Sequence, residues 1–325
     1  MHAWMCHNPI GTDALQWEEV PTPEPGAGQA RVAVKASSLN FPDILICQNK
    51  YQFKPTPPFV PGSEFAGVVE AVGGGVTNVK PGDRVMVIGG TGGFGTHAVV
   101  PAEKLVPMPA GMSFEHGAAF LMTYGTTQHA LLDRGQLKAG ETVLVLGAAG
   151  GVGTAAVQIA KAAGARVIAA ASTDAKCALC KEIGADATIN YSTENIRDAL
   201  KVLTNGKGPD VVYDPVGGDL AEPVFRSIAW RGRYLVVGFA GGGIPALPLN
   251  LSLLKGAAIV GVFWGDFVRR EPQAFQRDLQ QLAQWYAEGK VTPVMDKTMA
   301  LSDLHAAYAR MGARQVVGKL VLLQA

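Results

Sequence analysis

The chain has 325 residues, of which 48% are apolar and 17% charged, a balance that excludes a disordered chain. Its 28 Lys and Arg against 27 Asp and Glu leave a net charge of +1, so we do not expect nucleic acid as a partner. The length predicts two domains of about 150 residues. No apolar run predicts a membrane span and no secretory signal is visible, so we expect a cytoplasmic protein with four unpaired cysteines.

Short strands broken by Pro and Gly are typical of the first 120 residues or so. Residues 31–35 alternate like a half-buried strand, and 64–72 and 84–88 form two further strands. Few helical patterns are present. This half therefore predicts a β-rich barrel or sandwich.

The pattern changes near Glu141 to buried strands that alternate with helices. Thr142–Leu146 is apolar without alternation, as in a strand buried on both faces. Five more strands follow near residues 166–170, 187–190, 210–214, 233–237 and 258–262, with helices near 154–163, 174–183, 194–203 and 219–229. This rhythm predicts an α/β fold with a doubly wound parallel six-stranded sheet, the Rossmann arrangement.

The last 60 residues or so are too short for a third domain. They contain one predicted helix at 273–288 and a terminal strand at 319–323. We expect them to complete the first domain. The predicted domains are residues 1–122 with 264–325, and residues 123–263.

A Gly-rich turn, Gly147–Gly153, joins the first buried strand to its helix. Such a turn lets backbone amides approach a pyrophosphate at a helix N-terminus, and strand, turn, helix and next strand all stand in the required order. The sequence therefore predicts a dinucleotide site, with a purely structural turn as the alternative. The predicted phosphate contacts are Ala149, Gly150, Gly151 and Val152.

The end of the second strand bears on the choice of cofactor. An NAD site usually has an acid there for the ribose 2′-hydroxyl, but Ala170–Thr173 contains none. We expect Asp174 to be the N-cap of the next helix. Ser172, Lys176 and Tyr191 are predicted to hold a 2′-phosphate, which favours NADPH; a solvated surface Lys176 is the alternative reading.

Several segments together resemble the medium-chain dehydrogenase/reductase superfamily, with the closest similarity to its zinc-free quinone oxidoreductases, the ζ-crystallin-like branch. The resemblance covers essentially the whole chain. It implies a Rossmann domain and a discontinuous GroES-like barrel domain. The segments that carry it are residues 36–43, 61–67, 79–85, 123–126, 147–153 and 317–321.

By the same resemblance, zinc-dependent members carry Cys and His where this chain has Asn40 and Ser63. Neither replacement is a good zinc ligand, so no metal is expected. Cys177 and Cys180 form the one C-x-x-C, but it falls inside a predicted helix without a second ligand pair. We interpret them as ordinary helix residues.

The resemblance also implies site residues. Asn40 and Tyr51 would line the acceptor side near the nicotinamide and stabilise developing oxyanion charge; a turn amide and a packed aromatic are the respective alternatives. Asp43 would order this loop. Leu45 and Cys47 make the expected acceptor pocket more apolar than the family pattern. The other implied cofactor contacts are Asn40 itself, Thr123, Thr127, Gly238, Phe239 and Phe263.

The function expected from these residues is NADPH-dependent, zinc-independent hydride transfer to a small-molecule quinone or a similar flat electrophile. Reduction of activated C=C bonds in enals, enones or enoyl-CoA is the first alternative, ranked second because the first half lacks a basic cluster for CoA phosphates. A cofactor-binding protein without turnover is the other alternative. The resemblance also implies a homodimer, and the apolar strand 258–262 at the predicted sheet edge would pair with its copy.

Overall fold

The computed structural model describes residues 1–324, which form two compact units. One unit runs from Met1 to Met122 and resumes at Met295, and the other is Thr123–Val294. Residues 264–294 therefore belong to the second unit, whereas the sequence placed them in the first. The reason is packing: the Trp264 ring lies directly over Gly125, and Gln128 Nε2 donates to Asp278 O at 3.3 Å.

The strands of the described chain are β1 (His2–Met5), β2 (Gln16–Glu19), β3 (Gln29–Ser38), β4 (Glu64–Val72), β5 (Arg84–Ile88), β6 (His97–Pro101), β7 (Leu105–Pro107), β8 (Thr142–Leu146), β9 (Arg166–Ala171), β10 (Ala187–Asn190), β11 (Val211–Asp214), β12 (Arg233–Val236), β13 (Ala258–Gly261), β14 (Met295–Ala300) and β15 (Lys319–Leu323).

The α-helices are α1 (Phe41–Cys47), α2 (Phe114–Ala118), α3 (Thr126–Gln128), α4 (Gly151–Ala162), α5 (Asp174–Glu182), α6 (Ile196–Leu203), α7 (Ala221–Ser227), α8 (Asn250–Lys255), α9 (Trp264–Arg270), α10 (Pro272–Ala287) and α11 (Leu304–Gly312). Two π-helical turns, Leu121–Gly125 and His129–Arg134, flank α3. Short 3-10 turns occur at Thr12–Ala14, Ala102–Lys104, Gly218–Leu220 and Leu301–Asp303. Within residues 1–324, no helix has both the length and the apolar character needed to cross a bilayer.

The first unit is built on a mainly antiparallel sheet. Strands β15, β3, β4, β5 and β7 pair in that order, β6 also pairs with β3, and β14 joins β15 in parallel. In the first half of β3, alternate residues such as Val32 and Val34 are buried, which is the alternation seen in the sequence. The C-terminal strand thus returns to the first unit.

The second unit contains a fully parallel sheet in the order β10-β9-β8-β11-β12-β13. The chain winds outward from β8 in both directions, so the order reverses between β8 and β11. Open sheets of this kind bind ligands at the carboxyl ends of the strands, at that reversal. Within residues 1–324 the predicted six-stranded doubly wound sheet is confirmed.

The helices in the first unit are the main correction to the sequence analysis. Helix α1 interrupts the part read as strands, and α11 lies in a tail for which only 273–288 was expected to be helical. Both helices are short, at 7 and 9 residues. Pattern alone identifies short helices poorly, because they contain few turns over which an apolar period can repeat.

Candidate active site and dinucleotide site

The turn after β8 leaves no room for a side chain at one of its glycines. A Cβ on Gly153 would lie 2.2 Å from the Gly147 carbonyl oxygen and 2.7 Å from Ala148 Cα. Gly147 itself has φ +58°, a left-handed conformation that suits glycine. The turn is thus closely packed against the start of α4.

Helix α4 begins directly on this turn. Gly150 is its N-cap, with extended backbone, and the Thr154 amide donates to Gly150 O at 2.8 Å. The first amides of a helix have no partner inside the helix and carry the positive end of its dipole. The turn therefore presents Gly151 and Val152 as donors for an anion, and this backbone fits a pyrophosphate.

The carboxyl ends of β9 and β10 bring the proposed 2′-phosphate residues together. The Tyr191 amide donates to Ala171 O at 3.1 Å, and the Ser192 hydroxyl donates to Ser172 O at 2.9 Å. Lys176 follows in the first turn of α5. Ser172, Lys176 and Tyr191 thus all follow the carboxyl ends of β9 and β10.

The expectation that Asp174 caps α5 is wrong. Thr173 is the N-cap, and its hydroxyl accepts from the Lys176 amide at 3.2 Å. Asp174 is the first helical residue, and its carboxylate instead accepts from Asn190 Nδ2 at 2.7 Å. A threonine one position earlier satisfies the cap, so the carboxylate is available for a different contact.

The remaining expected cofactor residues lie in different environments. Thr127 is fully buried, and its hydroxyl donates to Val152 O at 3.3 Å and lies 2.9 Å from the Tyr213 phenol. Thr127 thus contacts the start of α4, next to the Gly-rich turn, through Val152. Thr123 is buried in the π-helical turn before α3, and Gly238, Phe239 and the half-exposed Phe263 follow β12 and β13 at their carboxyl ends.

In the first unit, Asn40 is part of a buried polar network. Lys319 Nζ donates to Asn40 Oδ1 at 2.6 Å and to Glu64 Oε2 at 3.2 Å. Asn40 Nδ2 donates to the same Glu64 oxygen at 3.0 Å, and the Ser38 hydroxyl does so at 2.8 Å. The amide of Asn40 is therefore oriented by the protein, with its oxygen on the ammonium and its nitrogen on the carboxylate.

This network limits what Asn40 offers to a ligand. Its oxygen already accepts from a charged donor, and one of its two N–H bonds points at Glu64. The second N–H has only long contacts of 3.4 and 3.5 Å to Ser38. One weakly engaged donor thus remains on a side chain that is 6% exposed.

Asp43 holds the loop around Asn40 in place, as expected from the sequence. Its carboxylate accepts from the backbone N–H of Asn40 at 2.9 Å, and from the backbone N–H and the hydroxyl of Ser63 at 2.9 and 2.7 Å. Burial raises the pKa of Asp43 to about 6, although these hydrogen bonds act in the opposite direction. The fully buried carboxyl therefore titrates just below neutral pH.

This raised pKa makes stability depend on pH. The folded protein keeps a proton on Asp43 up to about pH 6 and the unfolded chain only up to about pH 4, so this group stabilises the fold at low pH and less as the pH rises. The Asp43→Asn variant lacks this titration. We expect its deficit in unfolding free energy, measured by urea denaturation, to shrink by about 2 kcal/mol from about pH 4.5 to about pH 7.5. A constant deficit would contradict the raised pKa.

Tyr51 and Cys47 lie near Asp43 in the first unit. Burial, followed by the charge of Asp43, raises the pKa of the Tyr51 phenol, which therefore keeps its proton. Its ring packs against an apolar cluster that includes Cys47 and Phe59. Burial raises the pKa of Cys47 to about 12, so the thiol is not a nucleophile at neutral pH.

The groups around Asn40 do not fit a zinc ion. The Asn40 oxygen faces an ammonium, and the Ser63 hydroxyl donates to a carboxylate rather than offering a thiolate or imidazole. Among residues 1–324, no cluster of three or more His, Cys, Asp or Glu has a metal-binding arrangement.

The comparisons with known proteins agree with this fold. The family model of the alcohol dehydrogenase GroES-like domain matches residues 26–110, and that of the zinc-binding dehydrogenase matches residues 151–287. The chain is 39% identical to a quinone oxidoreductase-like protein 2 homolog of Nematostella vectensis over 98% of this chain and 88% of that one. It is 36% identical to a quinone oxidoreductase of Pseudomonas aeruginosa over 96% of each.

Among solved structures, the Escherichia coli quinone oxidoreductase complexed with NADPH matches with a TM-score of 0.93 and 29% identity, covering 99% of this chain and 100% of that one. A GroES-like unit with a doubly wound dinucleotide-binding unit defines a two-domain oxidoreductase. The chain belongs to the medium-chain dehydrogenase/reductase superfamily, in its quinone oxidoreductase-like branch.

Three residues of these sites were not identified from the sequence. The sequence places Glu64 and Lys319 at strand starts and within the resembling segments, and Asn190 at a strand end, but it assigns none of them to a site. Each is charged or polar and at most 6% exposed. Buried groups of this kind need partners, but the sequence does not show which distant residues supply them.

Proposed function

We propose that this protein is an NADPH-dependent reductase that transfers hydride to a small-molecule quinone or similar flat electrophilic acceptor, and that it does so without zinc. The observation that carries the proposal is the Gly-rich turn, where a Cβ on Gly153 would meet the Gly147 carbonyl oxygen at 2.2 Å. Two of the similar solved structures are complexes with NADPH, which supports the choice of cofactor.

The overall reaction balances as quinone plus NADPH plus a proton, giving hydroquinone and NADP⁺. The cofactor supplies the hydride, and the protein binds and orients the two reactants. Gly151 and Val152 would bind the pyrophosphate through their amides, and Ser172, Lys176 and Tyr191 would bind the 2′-phosphate. We propose that Thr127 acts indirectly, by supporting the Gly-rich turn through its hydrogen bond to Val152 O.

On the acceptor side, we propose that the second N–H of Asn40 donates to developing oxyanion charge. Lys319 and Glu64 would fix the direction of that N–H, so that little reorientation is needed during the reaction. The protonated Tyr51 phenol is a second candidate donor.

Reduction of an activated C=C bond is the second candidate function. It needs a proton for the enolate carbon, and the half-buried Tyr51 phenol, which retains its proton, favours this alternative. A protein that binds NADPH without turnover is the third candidate.

One screen separates these candidates. NADPH oxidation is followed by absorbance with quinones, enals, enones and enoyl-CoA as acceptors, on protein analysed for zinc content. We expect quinone-dependent oxidation by metal-free protein. Oxidation with enals or enoyl-CoA alone would favour the second candidate, tight binding without oxidation the third, and activity that requires stoichiometric zinc would contradict the proposal.

We further propose a cytoplasmic homodimer in which β13 pairs with its copy. Strand β13 pairs with β12 on one side only, and Ile259 on it is 42% exposed. An unpaired apolar edge tends to find another strand. All four cysteines are buried and unpaired, which suits a reducing compartment.

A further inference from the structure

We propose that Asn190 is a specificity-determining residue for the cofactor, because it holds the carboxylate of Asp174 against the end of β10. This inference rests on the proposed function, since it concerns the site where the 2′-phosphate would bind. It assigns a role to a contact between the first residue of α5 and the last residue of β10, neither of which is proposed as a direct ligand.

Asp174 stands where a carboxylate affects the choice between the two nicotinamide cofactors. It follows the end of β9 by three residues and lies between Ser172 and Lys176 in the chain. A carboxylate near this strand end that turns toward the ribose accepts from the 2′-hydroxyl of NADH. The same carboxylate repels the phosphate of NADPH.

The structure shows what prevents that turn. Asn190 Nδ2 donates to Asp174 Oδ1 at 2.7 Å, and the Asn190 side chain is nearly fully buried. Its other end is also fixed, because Asn190 Oδ1 accepts from the Ser192 amide at 3.1 Å. The backbone of Asn190 is held as well, since its backbone N–H donates to Glu194 Oε1 at 2.7 Å.

The cap of α5 does not need this carboxylate. The Thr173 hydroxyl already accepts from the backbone N–H of Lys176, so the helix stays capped whatever Asp174 does. Without Asn190, the Asp174 carboxylate would lose the hydrogen bond that holds it. A released carboxylate on an exposed first turn samples several rotamers. Some of these bring its negative charge toward the loop of Ser172 and Tyr191.

The test compares Asn190→Ala, Asp174→Asn and the double variant with the wild type. Dissociation constants are measured for NADPH and NADH by nicotinamide fluorescence, and for 2′,5′-ADP and 5′-AMP by calorimetry. We expect Asn190→Ala to weaken NADPH and 2′,5′-ADP about tenfold, with NADH and 5′-AMP unchanged or tighter. Asp174→Asn keeps an acceptor for Asn190 and is expected to bind NADPH at least as tightly as the wild type.

The double variant distinguishes a charge effect from a disturbed loop. With no carboxylate at position 174, loss of the Asn190 amide leaves nothing to repel the phosphate, so NADPH affinity should return close to the wild-type value. An unchanged NADPH-to-NADH ratio in Asn190→Ala, equal weakening of both cofactors, or a double variant without rescue would overturn the proposal. A wild-type protein that binds neither NADPH nor 2′,5′-ADP would instead overturn the proposed function.

Discussion

Replacing Lys319 with methionine is expected to lower the free energy of unfolding by about 3–5 kcal/mol at neutral pH. Lys319 is 4% exposed, and its ammonium donates to Glu64, Asn40 and the Leu39 carbonyl at 2.6–3.2 Å, so all three of its N–H bonds are used. Methionine fills similar space but leaves the Glu64 carboxylate buried without an opposite charge. Urea denaturation followed by circular dichroism measures the loss.

Lys161→Met is the matched control. Lys161 pairs with Asp186 at 2.9 Å, but both side chains are 37% exposed, and such a pair contributes about 1 kcal/mol or less. The Lys319→Met/Glu64→Gln double variant should recover much of the lost stability, because no buried charge remains. Equal losses of unfolding free energy for Lys319→Met and Lys161→Met would contradict this prediction, because burial of the Lys319–Glu64 pair would then add nothing to the cost of breaking it.

Much of the second unit is predictable from sequence because its signals are local. Strand β8 is apolar without alternation, the next four residues begin a Gly-rich turn, and α4 follows at once. A strand buried on both faces has few other readings, and a parallel sheet needs a crossover helix after each strand. The order of the six strands then follows from the usual winding of such folds.

The network around Asn40 is not predictable in the same way. Lys319 and Asn40 are 279 residues apart, and Lys319 and Glu64 are 255 apart. In the sequence, Lys319 is a single charged residue at the start of an apolar strand, which is typical of a solvated strand end. Only the return of β15 beside β3 makes it a buried partner, and that pairing depends on the whole sheet.

At the predicted 2′-phosphate site, the sequence analysis fails only in choosing between two neighbouring residues as the cap of α5. The sequence predicts no acid at the end of β9, and none is there, but it favours Asp174 for the helix cap that Thr173 provides. Both residue types are good caps, so the chain alone does not choose between neighbours. The choice matters, since it decides whether the carboxylate is used by α5 or by Asn190.

Replacing Gly153 with alanine is the second change with a large expected effect. The new Cβ would lie 2.2 Å from Gly147 O and 2.7 Å from Ala148 Cα, and both are backbone atoms that cannot rotate away. The turn and the start of α4 must separate, which we expect to cost about 3 kcal/mol of unfolding free energy. Urea denaturation measures the loss, and NADPH affinity should fall more than about tenfold, because the amides of the turn no longer converge.

Gly150→Ala in the same turn is the control for this prediction. A Cβ there would be 3.4 Å from Gly147 O, an ordinary contact, and the backbone φ of −82° suits any residue. Its unfolding free energy should therefore match the wild type, and a loss as large as that of Gly153→Ala would contradict the packing argument. Weakened NADPH binding by a stably folded Gly150→Ala protein would place the cofactor phosphates on this turn, because the added methyl group then obstructs only the ligand.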